Sequence, residues 1–272
     1  MDAAVDIFEL HNQSAIILPI YSNENEVIRL LLEDSVRFAL VTRNLNPKEQ
    51  KTSIDNRMFV RNFLIAFEGI SLITNKVNTD SLISLLTIQK IFTGEITDWS
   101  KINSQSKLGT IRVIFDNNQS GVLRYVVDSI TKGKSLSPNL YAVNNSDELI
   151  EKVCELPGAI GILGFNLINE EFRRNNFDFY NKIRLMRVGK VDPTTLENTF
   201  LPYTGDIKNE DYPLWRALYV LLSDPRTGLS SGFSFFLSHD IGQMVALKSG
   251  LLPAVRDVQN RSVEININNF FR

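Results

Sequence analysis

"IRVIFDNNQSGVLRY", residues 111–125, is the stretch from which the fold can be read. Ile111, Val113, Ile114 and Phe115 make an apolar strand, and a polar turn follows with Ser120–Gly121 inside it. Val122, Tyr125 and Val126 then recur at helical spacing. A strand that passes through such a turn into a helix is α/β grammar. The start of a helix exposes unpaired N–H groups and partial positive charge, so the turn is a ready anion site. Ser120 supplies a hydroxyl and Gly121 lets backbone donors approach, although the same pair also reads as an ordinary helix cap. Asp116 stands at the threshold.

On either side of this stretch strands and helices alternate. Ile16–Tyr21 reads as a strand, Glu24–Glu33 as a helix with Val27, Leu30 and Leu31 on one face, and Val36–Thr42 as a strand again. Asn46-Pro47-Lys48-Glu49 has the cap residue, the proline and the glutamate of a capping box, so a helix starts there. Thr87–Phe92 predicts a helix stopped at Gly94, Ser120–Thr131 a second, and Asp147–Leu156 a third after a Ser146 cap. Ile183–Val188 and Leu214–Leu222 predict strands. Helices over Phe233–Leu237 and Asp240–Ser249 divide near Ser238–His239.

Two apolar runs are marked by glycine. Phe63–Asn75 has Gly69 inside it and is too long for a simple strand, which makes it a hinge candidate. Ala159–Phe165, rich in small residues, lets another backbone pass closely and reads as a second crossing. The pattern predicts α/β architecture with mostly parallel sheets and two lobes, residues 1–68 with 165–272 and residues 69–164.

Composition narrows the function classes. The 272 residues are 43% hydrophobic, enough for a sizeable core, and 29 basic side chains balance 31 acidic ones. That balance lacks the basic footprint of a nucleic-acid binder. Cys154, the one cysteine, forms no intrachain disulfide and reads as a small buried hydrophobe. His11 and His239 sit in no ligand-spaced cluster, so no metal and no cofactor is expected. No run of about 18 apolar residues exists to span a membrane. Met1 leads directly into an amphipathic helix with no signal-peptide pattern, which leaves a cytosolic protein or a chain beginning downstream of its natural start.

Seven segments in order resemble the phosphate-binding receptors of ABC importers. They are "ALVTRNLNPKE" (39–49), "IAFEGISLITN" (65–75), "TIQKIFTGEITDWSKI" (87–102), residues 111–125, "PGAIGILGFN" (157–166), "YPLWRALYVLL" (212–222) and "GFSFFLSHDIGQMVALKSGLLPA" (232–254). The resemblance implies a type II periplasmic-binding-protein fold, two α/β lobes hinged by two crossing segments and closing on an oxyanion. It further implies a periplasmic or lipid-anchored monomer that delivers phosphate to an ABC permease without catalysis. The family's N-terminal strand has no counterpart here. In "IFTGEITDW", Glu95 and Asp98 are expected to shape a turn around a buried Trp99 rather than to act as acid and base.

The ligand residues implied by the resemblance are Thr42 and Arg43 from one lobe. From the other come Asp116, Asn117, Asn118, Ser120, Gly121 and Arg124. Asp116 stands where the family commonly has arginine, and Val122 where it has threonine, so binding is expected to lean on the planar fork of Arg43. Asp116 either accepts the proton of a monoprotonated oxyanion or braces the turn through its backbone. Arg124 either reaches the mouth of the site or is simply solvated. Loss of the ligand, leaving a sensory or interaction module, is the alternative.

Overall fold

The computed structural model describes residues 1–116, 121–173, 181–224 and 226–255. Its strands are β1 (Phe38–Val41), β2 (Arg61–Asn75), β3 (Leu82–Ser84), β4 (Arg112–Phe115), β5 (Leu140–Ala142) and β6 (Ala159–Gly164). β7 (Ile183–Leu185), β8 (Arg187–Gly189), β9 (Thr199–Phe200), β10 (Trp215–Leu222) and β11 (Leu252–Pro253) follow. The main sheet runs β1-β10-β2-β6-β4-β5, and β3-β8-β9 form a small second one. Helices that bear on the site are α1 (Asp2–His11), α2 (Glu24–Leu32), α3 (Pro47–Asp55), α4 (Leu85–Phe92) and α5 (Gly121–Tyr125).

β2 is the crossing segment that the long apolar run predicts. Residues 61–69 pair with β10, and residues 70–75 pair with β6 and β7, so the strand changes partners at Gly69–Ile70. A side chain at Gly69 would strike Pro202 Cβ at 2.7 Å and Ile207 Cδ1 at 3.0 Å, which explains the glycine by close approach.

The sheet halves bury separate cores on each face, as alternation requires. In the near half, Val220 and Leu222 join Val5, Phe8, Phe233 and Leu237, while Ala39, Val41 and Leu221 join Ile28 and Leu31. In the far half, Leu72, Val113 and Phe115 pack with Phe92 and Trp99, while Ile73 and Ile114 pack with Leu149 and Val153.

Local signals in the sequence hold where they depend on neighbouring residues. Asn46 and Glu49 form the capping box that opens α3. Ser84 caps α4, which ends before Gly94 at φ +81°. His239 separates the helices Leu229–Ser238 and Asp240–Lys248. The cap of helix Ser146–Glu155 is Asn145 rather than Ser146. α5 begins at Gly121 and continues as a π-helical turn over Val126–Ile130. Cys154 is half-buried at the rim of a core, and burial pushes its thiol up.

Expectations that depend on distant partners differ more. The sheets are mixed: among the described residues only β3–β8, β4–β5 and β4–β6 are parallel, because β2 threads both halves and its neighbours run back against it. Ile16–Tyr21 forms no strand; β1 pairs with β10 alone, and Ile16, Leu18 and Ile20 stay exposed. Met186 interrupts the expected strand 183–188, giving β7 and β8. The small-residue strand β6 ends at Gly164 beside Ile70. The chain stays with the far end of β2 through β7, and the return to the near half comes at Leu214–Trp215, where Leu214 O accepts from Ile70 N–H at 2.8 Å.

Candidate functional site

Where the two halves meet, three donors converge on one carboxylate. β1 delivers Thr42 at its end, and Asn23 caps α2 so that Glu24 is its first residue. Glu24 Oε1 accepts from Thr42 N–H at 2.5 Å and from Thr42 Oγ1 at 2.7 Å. Arg124, on α5 of the far half, donates from Nε to Glu24 Oε2 at 2.9 Å and from Nη2 to Thr42 Oγ1 at 2.7 Å. The Thr42 hydroxyl therefore accepts from one half and donates within the other. Arg124 Nη1 also lies 3.4 Å from Asp128.

The Glu24 side chain is 9% exposed. Burial by itself raises its pKa, but the Thr42 hydroxyl, the Arg124 charge and the Thr42 N–H outweigh that and hold it below the usual 4.5. A depressed carboxylate contributes stability that is fully present above about 4.5 and fades as pH falls through its folded-state value. Urea unfolding is expected to find Glu24→Gln less stable than wild type at neutral pH, with the gap narrowing as pH drops below that value. A gap that stays constant into acid would mean that the charge of Glu24 contributes nothing.

Arg43, the cation the sequence favours, is already engaged. Its Nη1 and Nη2 donate to Glu49 at 2.7 and 2.9 Å, and Nε lies 3.6 Å from Glu24. Glu49 is the same residue that closes the α3 capping box, so Arg43 ties the loop after β1 to the start of a helix. Asp116 is half-buried at the end of β4. Asn117, Asn118 and Ser120 lie outside the described residues. Gly121 comes against the near half directly: a Cβ there would meet Arg216 Nη1 at 2.9 Å and Thr42 Oγ1 at 3.1 Å.

The structure thus gathers Thr42, Gly121 and Arg124, and adds Glu24, Glu68 and Arg216, which the sequence reading missed. Arg216 and Glu68 are opposite one another in the β10–β2 register, next to the residue where β2 changes partners. Arg216 Nε donates to Glu68 Oε2 at 2.7 Å, and Nη2 lies 2.6 Å from the same oxygen. The side chains are 13% and 5% exposed. Tyr125 lies close by; burial pushes its hydroxyl up to about 12, partly offset by a hydrogen bond with the Trp215 backbone and the Arg216 charge. A signal for Arg216 existed, since it is the one charged residue in the apolar run "WRALYVLL". Glu24 carried none, because a glutamate in a first helical turn is ordinary.

His11 and His239 lie at helix ends, each within 2.7 Å of the carbonyl four residues earlier. Among the described residues no helix is long and apolar enough to cross a membrane.

Known proteins resemble this chain in sequence and in fold. The phosphate-binding protein PstS of Bacillus subtilis is 22% identical over 208 residues, 75% of this chain and 61% of that protein. The chain thus spans about three fifths of the length of that relative. Among solved structures, a Clostridium perfringens protein crystallised with bound phosphate superposes with a TM-score of 0.75 at 19% identity, over 93% of each chain. An ABC-type phosphate transport receptor from Vibrio cholerae gives 0.67 at 18% identity, over 93% of this chain and 94% of that one. Its crossed α/β halves are those of the type II periplasmic-binding-protein fold. The sequence pattern of the PBP superfamily domain matches residues 1–240, and the chain belongs to that family.

Proposed function

We propose that this chain is an extracytoplasmic receptor that captures phosphate, or a closely similar oxyanion, between its two halves and delivers it to the permease of an ABC importer. It acts as a monomer and leaves its ligand chemically unchanged. The observation that carries the reading is the convergence of the Thr42 N–H, the Thr42 hydroxyl and the Arg124 guanidinium, from opposite halves, on the Glu24 carboxylate. Donors that close around a carboxylate from two sides are the kind that hold an oxyanion. The names of the relatives and the phosphate bound in the Clostridium protein support phosphate as the ligand.

Titration calorimetry of the full chain with phosphate is expected to give one site with no turnover. Arg124→Ala is expected to weaken it about tenfold to a hundredfold, the value of one charge-assisted hydrogen bond. The occupancy of these donors by Glu24 favours a second reading, in which the carboxylate replaces the ligand and the chain is a sensory or interaction module. No heat with phosphate, arsenate or sulfate would decide for that second reading.

A further inference from the structure

Arg216 has one nitrogen unaccounted for. Nε and Nη2 are taken by Glu68, but Nη1 is buried and has no hydrogen-bond partner. A buried guanidinium N–H without an acceptor is costly, and native chains rarely leave one unless something outside the chain completes it. The other arginines near the seam have their nitrogens committed: Arg43 to Glu49, Arg124 to Glu24 and Thr42.

The orphan nitrogen is also aimed. It faces Gly121, on the far side of the seam, and Thr42 Oγ1 borders the same small space. A Cβ at Gly121 would press on both atoms, so the start of α5 packs closely against them. Behind Arg216, Glu68 is wedged under Gly164, where any side chain would collide with Glu68 Oε1 and Asn166 Oδ1. The carboxylate that fixes Arg216 is thus confined between two neighbouring strands, β2 and β6, at the point where the halves join. A planar fork held on one edge by a carboxylate presents its other edge in a set direction, with little freedom left to lose on binding.

We infer that Arg216 is an anion-ligating residue of the seam, donating through Nη1 to an oxygen of a bound tetrahedral oxyanion while Glu68 holds the rest of the guanidinium. The inference rests on the oxyanion-capture reading and adds to it a ligand from the hinge itself, absent from the residues that the sequence singled out. Because Glu68 lies on the strand that crosses between the halves, an anion on Nη1 is tied to the hinge through one ion pair.

The test is calorimetric titration of the full chain and of Arg216→Lys with phosphate and arsenate, with thermal unfolding of each. Lysine keeps the charge opposite Glu68 but loses the forked second edge. The expected result is phosphate binding weakened tenfold or more with unfolding within a few degrees of wild type. Should Arg216→Lys fold poorly, Arg216→Met combined with Glu68→Leu removes the pair together, a replacement that buried pairs commonly tolerate. It is expected to fold and to lose binding to the same extent. Wild-type binding with either folded variant within threefold of it overturns the role of Arg216 and leaves the capture reading standing. A wild-type chain that takes up no phosphate, arsenate or sulfate overturns both.

Discussion

Glu68→Ala is expected to cost about 3–5 kcal/mol of stability, measured by urea unfolding at neutral pH, because it strands a buried guanidinium. Glu68 and Arg216 face each other across the β10–β2 ladder, with Oε2 2.6 and 2.7 Å from two arginine nitrogens. Removing the acid leaves those nitrogens without acceptors beside a third that already has none. The site offers no quick remedy, since Gly164 closes over Glu68 and the side chains are 5% and 13% exposed. The double replacement Glu68→Leu/Arg216→Met is expected to cost markedly less, since it removes both charges together. If the single and double variants lose the same amount, the ion pair is not what holds this junction.

Trp99→Ala is expected to be comparably severe, about 3–5 kcal/mol, for a different reason. Trp99 is fully buried among Phe92, Ile111 and Val113, and its indole N–H donates to Gly158 O at 3.0 Å. Alanine there opens a large cavity and removes one of the two donors to Gly158 O, which keeps the Arg112 N–H at 3.3 Å. Trp99→Phe keeps most of the volume and loses only the donor, so its loss is expected near 1–3 kcal/mol. Equal losses for alanine and phenylalanine would put the energy in the hydrogen bond rather than in packing. The role matches the turn-forming one that the "IFTGEITDW" block suggests: Asp98 caps the short turn by accepting from Ser100 N–H at 3.0 Å, and Trp99 N–H donates to Gly109 O at 3.0 Å.

Much of the fold was legible because it rests on short-range causes. A capping box at Asn46–Glu49, a left-handed Gly94 after a helix and an overlong apolar run with Gly69 inside act over a few residues. Where a neighbour had to come from far along the chain, the sequence misled. Ile16–Tyr21 has the composition of a strand, yet the structure pairs it with none. The small-residue strand β6 suggested a crossing, yet its glycines serve close packing: a Cβ at Gly161 would strike Leu149, Val153 and Ile73, and one at Gly164 would strike Glu68.

The site divides in the same way. Thr42, Gly121 and Arg124 were marked by a motif, and the folded chain gathers them at one seam. Which arginine keeps a hydrogen-bond donor free was a question the motif could not answer. Arg43 finds Glu49 six residues away, Arg124 finds Glu24 a hundred residues earlier, and Arg216 finds Glu68 across 148 residues with one nitrogen left over.

By itself, then, the sequence determined the alternation of strands and helices, the caps that end them and the segment able to pass between two halves, because backbone sterics and hydrophobic period act locally. The tertiary structure alone decided which charges cancel one another and which buried donors, Arg216 Nη1 among them, still lack an acceptor. Charge pairing depends on the distance and orientation of groups that only folding brings together.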